Sequence, residues 1–183
     1  MDPWKTISRR TILQHSKYLT VEEHVVELPD GRRIEDWPWI ITPNYINVVA
    51  ETEAGTFLCF RQVKYALDGV TMAVVGGYLE PGEEPLAAAR RELLEETGYQ
   101  ASRWIDLGHY NVGANRGFAT ANLYFARGAR PVTMPNSDDL EEQELIELTR
   151  SELKTALMRG EFQSLAWTTA VAMALLWLED GGD

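Results

Sequence analysis

The sequence predicts an α+β fold in which helices pack on a mixed β-sheet. Residues 6–40 have the β-branched content of strands, residues 84–97 change to a helical period, and the residues after 150 continue with further helices. Strands and helices are mixed without a regular β-α-β alternation. This order is typical of an α+β protein, or of a sandwich of helices on a mixed sheet.

The first element is a predicted β-hairpin. Residues 19–28 carry β-branched side chains, Pro29-Asp30-Gly31 supplies a turn, and residues 32–41 return as a second strand. We expect residues 1–42 to form an N-terminal β-hairpin extension and residues 43–183 to form the main domain.

The main domain is predicted to combine short strands with three helices. A helix over 84–97 is bounded by Pro85, which suits a first helical position, and by Gly98, which suits a C-terminal cap. An acidic, solvated loop is expected over residues 137–144. The predicted strands are 45–51, 56–62, 71–75, 104–111, 120–126 and 145–148, and the other predicted helices are 151–159 and 164–179.

The charge of the chain limits its partners. Its 183 residues include 28 acidic and 17 basic side chains, which gives a formal net charge of −11. Such a surface repels nucleic acid and anionic membranes, so neither is an expected partner. An acidic protein can still bind an anionic small molecule when a divalent cation supplies positive charge locally.

A cytoplasmic location is expected. The single cysteine, Cys59, has no intramolecular partner for a disulfide, which fits a reducing compartment. The first residues lack the apolar stretch of a signal peptide, and the longest apolar run, Ala170–Leu178, is too short to span a bilayer.

A group of glutamates on the predicted 84–97 helix is the strongest functional signal. Residues three and four apart share one helix face, so Glu92, Glu95 and Glu96 fall within one arc. Like charges near the negative end of a helix dipole disfavour the helix locally. On charge alone a solvated glutamate-rich face is the simpler interpretation, but clustered carboxylate oxygens are also what Mg²⁺ binds. An apolar stripe beside the arc, which would dock the helix on a sheet, consists of Leu86, Ala89 and Leu93.

The spacing of the surrounding residues favours the functional interpretation, because it resembles the Nudix box. The matching residues are Gly77, Glu83, Arg91-Glu92-Leu93, Glu95-Glu96 and Gly98-Tyr99. A chance match in such a chain is on the order of 10⁻⁷. The order of the flanking elements also resembles the Nudix α/β/α sandwich with its mixed sheet.

The resemblance implies a hydrolase that uses Mg²⁺, with Mn²⁺ as an alternative, to cleave a nucleoside diphosphate linked to another group. Glu92 and Glu96 match metal ligands, and Glu95 matches a ligand reached directly or through water. Glu83 matches a residue that supports the metal site, and Arg91 matches the arginine that orients the glutamates.

Features outside the box resemble the ADP-ribose pyrophosphatase branch of the family. They are the N-terminal hairpin, Arg61-Gln62 before the box and the stretch from Glu144 to Leu148 after it. In that branch the carbonyl just before the first box glycine is also a metal ligand, which places it on Gly76. The resemblance also implies a homodimer whose interface uses residues 6–40.

Residues for substrate binding and water activation are less firmly indicated. The candidate substrate contacts are Trp37 and Trp39, which would stack the base, and Arg61 and Arg116, which would contact phosphate or ribose. The aromatic pair is equally compatible with core or interface packing. The box carboxylates are committed to metal, so a further general base is expected. Glu144 is the preferred candidate, Glu142 is the alternative, and Glu95 follows.

Three functions remain open from the sequence. The preferred one is a pyrophosphatase for ADP-ribose or a related nucleoside-diphosphate sugar. The second is a Nudix pyrophosphatase for GDP-mannose, a dinucleoside polyphosphate or a dinucleotide coenzyme, because Ala73–Gly77 lacks the glutamate and proline that the branch commonly carries there. The third is a non-catalytic module that binds a nucleotide, which an intact box disfavours.

Overall fold

The structure is a computed structural model that describes residues 1–136 and 142–181. Its residues form two compact units. The first unit contains residues 1–44 and 110–120, and the second contains residues 45–109 and the residues from 121 onward.

The first unit is built on a small antiparallel sheet. Its strands are β1 (Lys5–His15), β2 (Leu19–Glu27) and β3 (Arg33–Ile41). The predicted turn joins β2 to β3, where the Leu28 amide donates a hydrogen bond to the Arg32 carbonyl at 2.8 Å. The predicted hairpin is therefore present, and β1 adds a third strand to it. The end of β3 pairs in parallel with Gly117 and Phe118.

The second unit contains the other elements. They are β4 (Tyr45–Thr52), β5 (Phe57–Val63), β6 (Val70–Ala73), β7 (Val75–Tyr78), α1 (Pro85–Thr97), β8 (Tyr99–Gly113), β9 (Gly117–Pro131), β10 (Gln143–Leu148), α2 (Arg150–Met158) and α3 (Leu165–Glu179). The ends of β8 and β9 that meet at residues 110–120 belong to the first unit.

The limits of three predicted strands were wrong. β8 and β9 are longer than the predicted 104–111 and 120–126, because the two strands pair with each other and β9 continues through Gly128, which weakens the local β signal. The strand predicted over 71–75 is two strands, since the chain changes partner there: β6 pairs with β5, whereas β7 pairs with β4.

The sheet of the second unit is mixed, as predicted, and it opens between its two central strands. β4 runs parallel to β9, whereas β10 is antiparallel to β5. β4 and β5 pair directly only through Ala50–Leu58 and Glu51–Phe57. Beyond these pairs β4 is joined by β7 and β5 by β6, so the two strands separate. A cleft lies where they separate.

Two apolar clusters cover the two faces of this sheet. Successive residues of a strand point to opposite sides. Val48 accordingly packs in the cluster that contains Leu93 of α1, whereas Val49 packs in the cluster that contains Leu153 of α2 and Val171 of α3. One helix therefore lies on one face and two helices lie on the other, which confirms the predicted α/β/α sandwich.

Helix α1 has the predicted limits and packing. Pro85 lies in its first turn, and Gly98 ends it with a φ of 75°, a left-handed conformation that suits glycine. The Gly98 amide donates to the Leu94 carbonyl at 2.8 Å. Ala89 and Leu93 are fully buried, and Leu86 packs against the same cluster, which confirms the apolar stripe.

The C-terminal elements are present as predicted, except that the last strand begins two residues earlier, within the predicted acidic loop. The predicted last strand and the two following helices are β10, α2 and α3. Residues 137–141 of the predicted acidic loop lie outside the described residues, and Gln143 and Glu144 begin β10. No helix in the described part of the chain is long and apolar enough to cross a membrane.

Candidate active site

Arg91 forms hydrogen bonds to three carboxylates around α1, and we call these four residues the Arg91 cluster. Its Nε and Nη2 donate to the two carboxylate oxygens of Glu83, each at 2.9 Å. Its Nη1 donates to Glu92 at 2.8 Å and to Glu95 at 3.0 Å. One guanidinium therefore compensates much of the crowded negative charge that the sequence predicts on this helix face. The two-pronged contact with Glu83 is the strong form of an arginine–carboxylate pair.

Within the Arg91 cluster, the pairing of Arg91 with Glu83 shifts the pKa of both groups. Hydrogen bonds from Arg91 hold the pKa of Glu83 below its ordinary value, against the opposing effect of burial. The pKa of Arg91 rises, chiefly because it donates to Glu83. Both groups are therefore charged at neutral pH. Arg91 thus sets the positions of the Glu92 and Glu95 carboxylates.

Two consecutive glycines of β7, Gly76 and Gly77, lie in close contact with glutamate side chains of α1. A side-chain carbon at Gly77 would collide with the Glu92 carboxylate, so only glycine allows this close approach. The Gly76 amide donates to Oε2 of Glu96 at 3.2 Å. Glu92 and Glu96 therefore reach adjacent points of one strand. The structure thus brings together three of the positions predicted to bind metal: Glu92, Glu96 and Gly76.

These donors suit a hard divalent cation, because carboxylate and carbonyl oxygens are the ligands that such cations prefer. Within residues 1–136 and 142–181, no three His, Cys, Asp or Glu side chains form a group that could hold a metal ion. The oxygen atoms of Glu92, Glu96 and Gly76 therefore fit the predicted divalent metal by their chemistry. In this structure, Glu83, Glu92 and Glu95 are held by Arg91.

The cleft between β4 and β5 adjoins the two β7 glycines and has a volume of about 270 Å³. Its lining includes Gly76, Gly77 and Glu96 of the box, together with Asn47 of β4, Gln62 of β5 and Trp167 of α3. A pocket of mixed aromatic and polar lining beside charged groups is the usual form of a small-molecule site. The cleft is therefore the candidate binding site.

No role was predicted for Asn47, Gln62 or Trp167. They come from separate elements, and no fixed spacing links them. One signal was present for the two strand residues: Asn47 lies within the apolar run Ile46–Ala50 of β4, and Gln62 lies near the end of β5. They are only 3% and 6% exposed. Buried polar groups need partners, so polar residues inside such strands mark positions worth testing.

The predicted base and one predicted phosphate contact lie side by side. Arg61 and Glu144 face each other across β5 and β10, with Arg61 Nη1 3.7 Å from Glu144 Oε2. Both side chains are more than half exposed. With Glu142 they line an opening separate from the one that contains Gly76. The structure thus brings these three predicted residues together, but not as part of the cleft lining.

The other predicted substrate contacts belong to the first unit and pack within it. The Arg116 guanidinium lies over the Trp37 ring at 4.2 Å, and Trp37 Nε1 donates to the Asn115 carbonyl at 2.8 Å. Trp39 stacks on the buried His24 ring, with 5.2 Å between ring centroids. Both indoles are half-buried. Each tryptophan therefore has a packing role in its own unit.

Two protein families match the chain. Residues 42–171 match the NUDIX domain, which covers most of the chain and contains α1 and the cleft. Residues 4–40 match the nucleoside diphosphate sugar hydrolase N-terminal domain, which corresponds to β1–β3.

Two curated proteins are similar to most of the chain. The chain is 27% identical over 175 residues to an ADP-ribose pyrophosphatase of Bacillus subtilis (strain 168), covering 96% of this chain and 92% of the relative. It is 29% identical over 157 residues to a methanol dehydrogenase activator of Bacillus methanolicus, covering 84% of this chain and 80% of the relative.

A solved structure, described as an ADP compounds hydrolase, superposes with a TM-score of 0.81 over 100% of this chain and 97% of that chain. At 19% identity this likeness confirms the fold. The NUDIX domain match, which covers more than half of the chain, shows that this protein belongs to the Nudix family of hydrolases.

Proposed function

We propose that this Nudix hydrolase cleaves the pyrophosphate bond of ADP-ribose or of a related nucleoside-diphosphate sugar. The observation that carries the proposal is the meeting of Glu92 and Glu96 with adjacent glycines beside a cleft. The match to the nucleoside diphosphate sugar hydrolase N-terminal domain supports the substrate class. The relationship to an ADP-ribose pyrophosphatase supports ADP-ribose as the first compound to test.

The proposed cofactor is Mg²⁺, with Mn²⁺ as an alternative. Glu92, Glu96 and the Gly76 carbonyl would hold it, and Glu95 would bind it directly or through water. When bound, the cation offsets charge on the diphosphate and polarises the phosphorus–oxygen bond. Arg91 positions the carboxylates for this role, and Glu83 holds Arg91 in place through its two 2.9 Å hydrogen bonds.

The proposed general base is Glu144, with Glu142 as the alternative. Both are exposed carboxylates at the opening that neighbours the cleft, where a proton acceptor could reach the attacking water. Arg61, which pairs with Glu144, is the proposed phosphate or ribose contact. At saturating Mg²⁺, the Gln variant of the true base should lose at least about 10²-fold in kcat with little change in KM. If both variants lose only a few-fold, the base lies elsewhere, with Glu95 as the next candidate.

The proposal assigns residues 1–42 to a substrate and dimer arm and residues 43–183 to the catalytic domain. Trp37, Trp39 and Arg116 are its proposed nucleotide contacts. The homodimer is supported by β1, where every residue is exposed and Ile7, Ile12 and Leu13 are each about half exposed. A monomeric mass by light scattering at micromolar concentration would exclude it. The proposed setting is cytoplasmic, with a small-molecule substrate and no nucleic-acid or membrane partner.

The function is tested by incubating the purified chain and Mg²⁺ with a panel of nucleoside-diphosphate compounds. A coupled phosphatase then releases phosphate from the products, and chromatography identifies them. We expect ADP-ribose, or another nucleoside-diphosphate sugar, to give the highest kcat/KM, with a nucleoside monophosphate and a sugar phosphate as products. Preference for a dinucleoside polyphosphate or a dinucleotide coenzyme would refute the proposed substrate class. Turnover of none of the compounds would refute the proposed activity.

A further inference from the structure

The floor of the cleft contains a buried amide with an unused acceptor. Asn47 is 3% exposed, and its Nδ2 donates to the Val75 carbonyl over a long 3.5 Å. Its Oδ1 accepts no hydrogen bond from any residue in the described part of the chain. Native structures rarely leave such an oxygen unpaired. Because Asn47 lines the cleft, a hydroxyl group of a bound molecule is a donor that would complete it.

The start of α3 offers donors to the same cleft. Ser164, Ala166 and Trp167 contribute to its lining. Ser164 occupies the N-cap position, yet its side chain accepts no capping hydrogen bond from the N–H groups of the first turn. The first peptide N–H groups of a helix have no partner within the helix, so they are available to an oxygen atom of a ligand. The lining of the cleft therefore combines an unpaired acceptor with the first turn of a helix.

Aromatic rings form much of the remaining wall. Tyr45, Tyr78 and Trp167 all line the cleft. Burial raises the pKa of Tyr45, so its hydroxyl stays protonated and can donate at neutral pH. Flat rings beside a few placed polar groups suit a ligand that has an apolar face and polar edges.

We infer that the cleft is the subsite for the sugar that is joined to the diphosphate, with Asn47 as a specificity-determining residue and Trp167 as an aromatic wall. The inference rests on the proposed function, in which the box binds the diphosphate next to Gly76 and Glu96. A sugar hydroxyl both donates and accepts, so one ring can pair with Asn47 Oδ1 and with the start of α3. The dianion of a phosphate monoester without a sugar offers acceptors alone and leaves Asn47 unpaired.

Calorimetric titration of the full chain in Mg²⁺ can separate sugar from phosphate recognition without any turnover. The probes are ribose 5-phosphate, mannose 1-phosphate and methyl phosphate, the last of which carries no sugar. We expect at least one sugar phosphate to bind at least about tenfold more tightly than methyl phosphate, because an open buried polar group discriminates against a ligand that cannot pair with it.

Two variants and two matched controls test the residues. Asn47→Leu removes the acceptor but keeps a branched side chain, and Trp167→Leu removes the ring. Asn111→Leu, at an exposed position of the first unit, and Trp177→Leu, elsewhere on α3, change the same residue types outside the cleft. Each cleft variant should reduce the preference for the sugar phosphate by at least about fivefold, whereas each control should retain it. Thermal melting checks folding, and Asn47→Ala replaces Asn47→Leu if leucine is not accommodated.

The outcomes distinguish the subsite from the proposed function. Equal affinity of the wild-type chain for all three phosphates overturns the inference, as does a preference that survives both cleft variants. Hydrolysis of ADP-ribose and of a nucleoside-diphosphate mannose is measured separately on the same preparation. Binding of sugar phosphates without hydrolysis of either compound would contradict the proposed function and leave the subsite supported. Hydrolysis with no preference for sugar phosphates would support the proposed function and contradict the subsite.

Discussion

The Arg91 cluster and the floor of the cleft are neighbours in the second unit, yet they treat polar groups in opposite ways. In the Arg91 cluster, three carboxylates accept hydrogen bonds of 2.8 to 3.0 Å from one guanidinium. On the floor of the cleft, Asn47 Oδ1 has no partner among the described residues. Groups that must be held in place are thus paired within the chain. The group that we assign to recognition is left for a molecule from outside.

A second asparagine shows that the open acceptor is not a general property of this sheet. Asn122 of β9 is the parallel cross-strand neighbour of Ile46, one residue from Asn47, and it is 4% exposed. Its Oδ1 pairs with His109 Nδ1 at 2.8 Å, and its Nδ2 donates to the Tyr45 carbonyl at 2.9 Å. The two side chains are equally buried, and they differ in that Asn47 lines the cleft whereas Asn122 does not.

The largest expected effect is a loss of turnover when the glutamates of α1 are changed. Glu96→Gln and Glu92→Gln each remove a charged ligand of the proposed metal, so kcat should fall by at least about 10²-fold. The same changes relieve repulsion on α1, worth about 0.2–0.5 kcal/mol per like-charge pair. They also weaken the hydrogen bonds that the charged carboxylates accept, at Glu92 from Arg91 and at Glu96 from the Gly76 amide, so the metal-free melting temperature should change little. Steady-state kinetics and thermal melting measure both. Glu179→Gln, an exposed residue of α3, is the control. An unchanged kcat would contradict the role of these glutamates as metal ligands, and a large loss of melting temperature would show that they are needed for the fold.

The next largest effect is a difference in the free energy of unfolding between variants of Asn47 and Asn122. Asn122→Leu leaves the His109 ring and the Tyr45 carbonyl without their partner, so the free energy of unfolding should fall by about 1–3 kcal/mol. Asn47→Leu removes an acceptor that is already unpaired and a long 3.5 Å hydrogen bond to the Val75 carbonyl, so the loss should be less than about 1 kcal/mol. Urea denaturation of the metal-free chain measures both values. Equal losses would break the comparison, because Asn47 would then be as well paired as Asn122.

The smallest effect is a pH dependence within the Arg91 cluster. Arg91 holds the pKa of Glu83 below its ordinary value of 4.5. A lowered folded-state pKa stabilises the protein above the unfolded value, and the stabilisation is lost as the pH falls through the lowered value. The stability difference between wild type and Glu83→Gln should therefore be largest near neutral pH and shrink below about pH 4.5. Denaturation at several pH values measures it, with the exposed Glu35→Gln as a control. A difference that grows on acidification would contradict this pairing.

The predictions that succeeded used repeated or fixed spacing. The helical period and the caps Pro85 and Gly98 located α1, and the box intervals located Glu92 and Glu96 on it. Period and spacing are local properties, so one sequence displays them directly. Strand lengths were less accurate, because pairing between β8 and β9 continues both strands beyond the residues whose local pattern indicates a strand.

The cleft could not be predicted in the same way. Asn47, Gln62 and Trp167 meet because β4 and β5 separate and α3 reaches the opening, which depends on the whole topology. Likewise, the pairing of Arg61 with Glu144 follows from the register of β5 against β10 rather than from any motif. Contacts between distant segments are set by tertiary packing, which local patterns do not encode.

Binding of Mn²⁺ tests the central claim most directly, namely that the box carboxylates of α1 hold the divalent cation on which hydrolysis depends. Electron paramagnetic resonance of free Mn²⁺ gives the affinity without requiring a substrate. We predict that the wild-type chain binds Mn²⁺, that Glu96→Gln weakens binding by at least about tenfold, and that Glu179→Gln leaves it unchanged. EDTA should abolish hydrolysis of the preferred substrate, and added Mg²⁺ should restore it. A wild-type chain that binds no Mn²⁺, or a Glu96→Gln variant that binds it as tightly as the wild type, would contradict the claim.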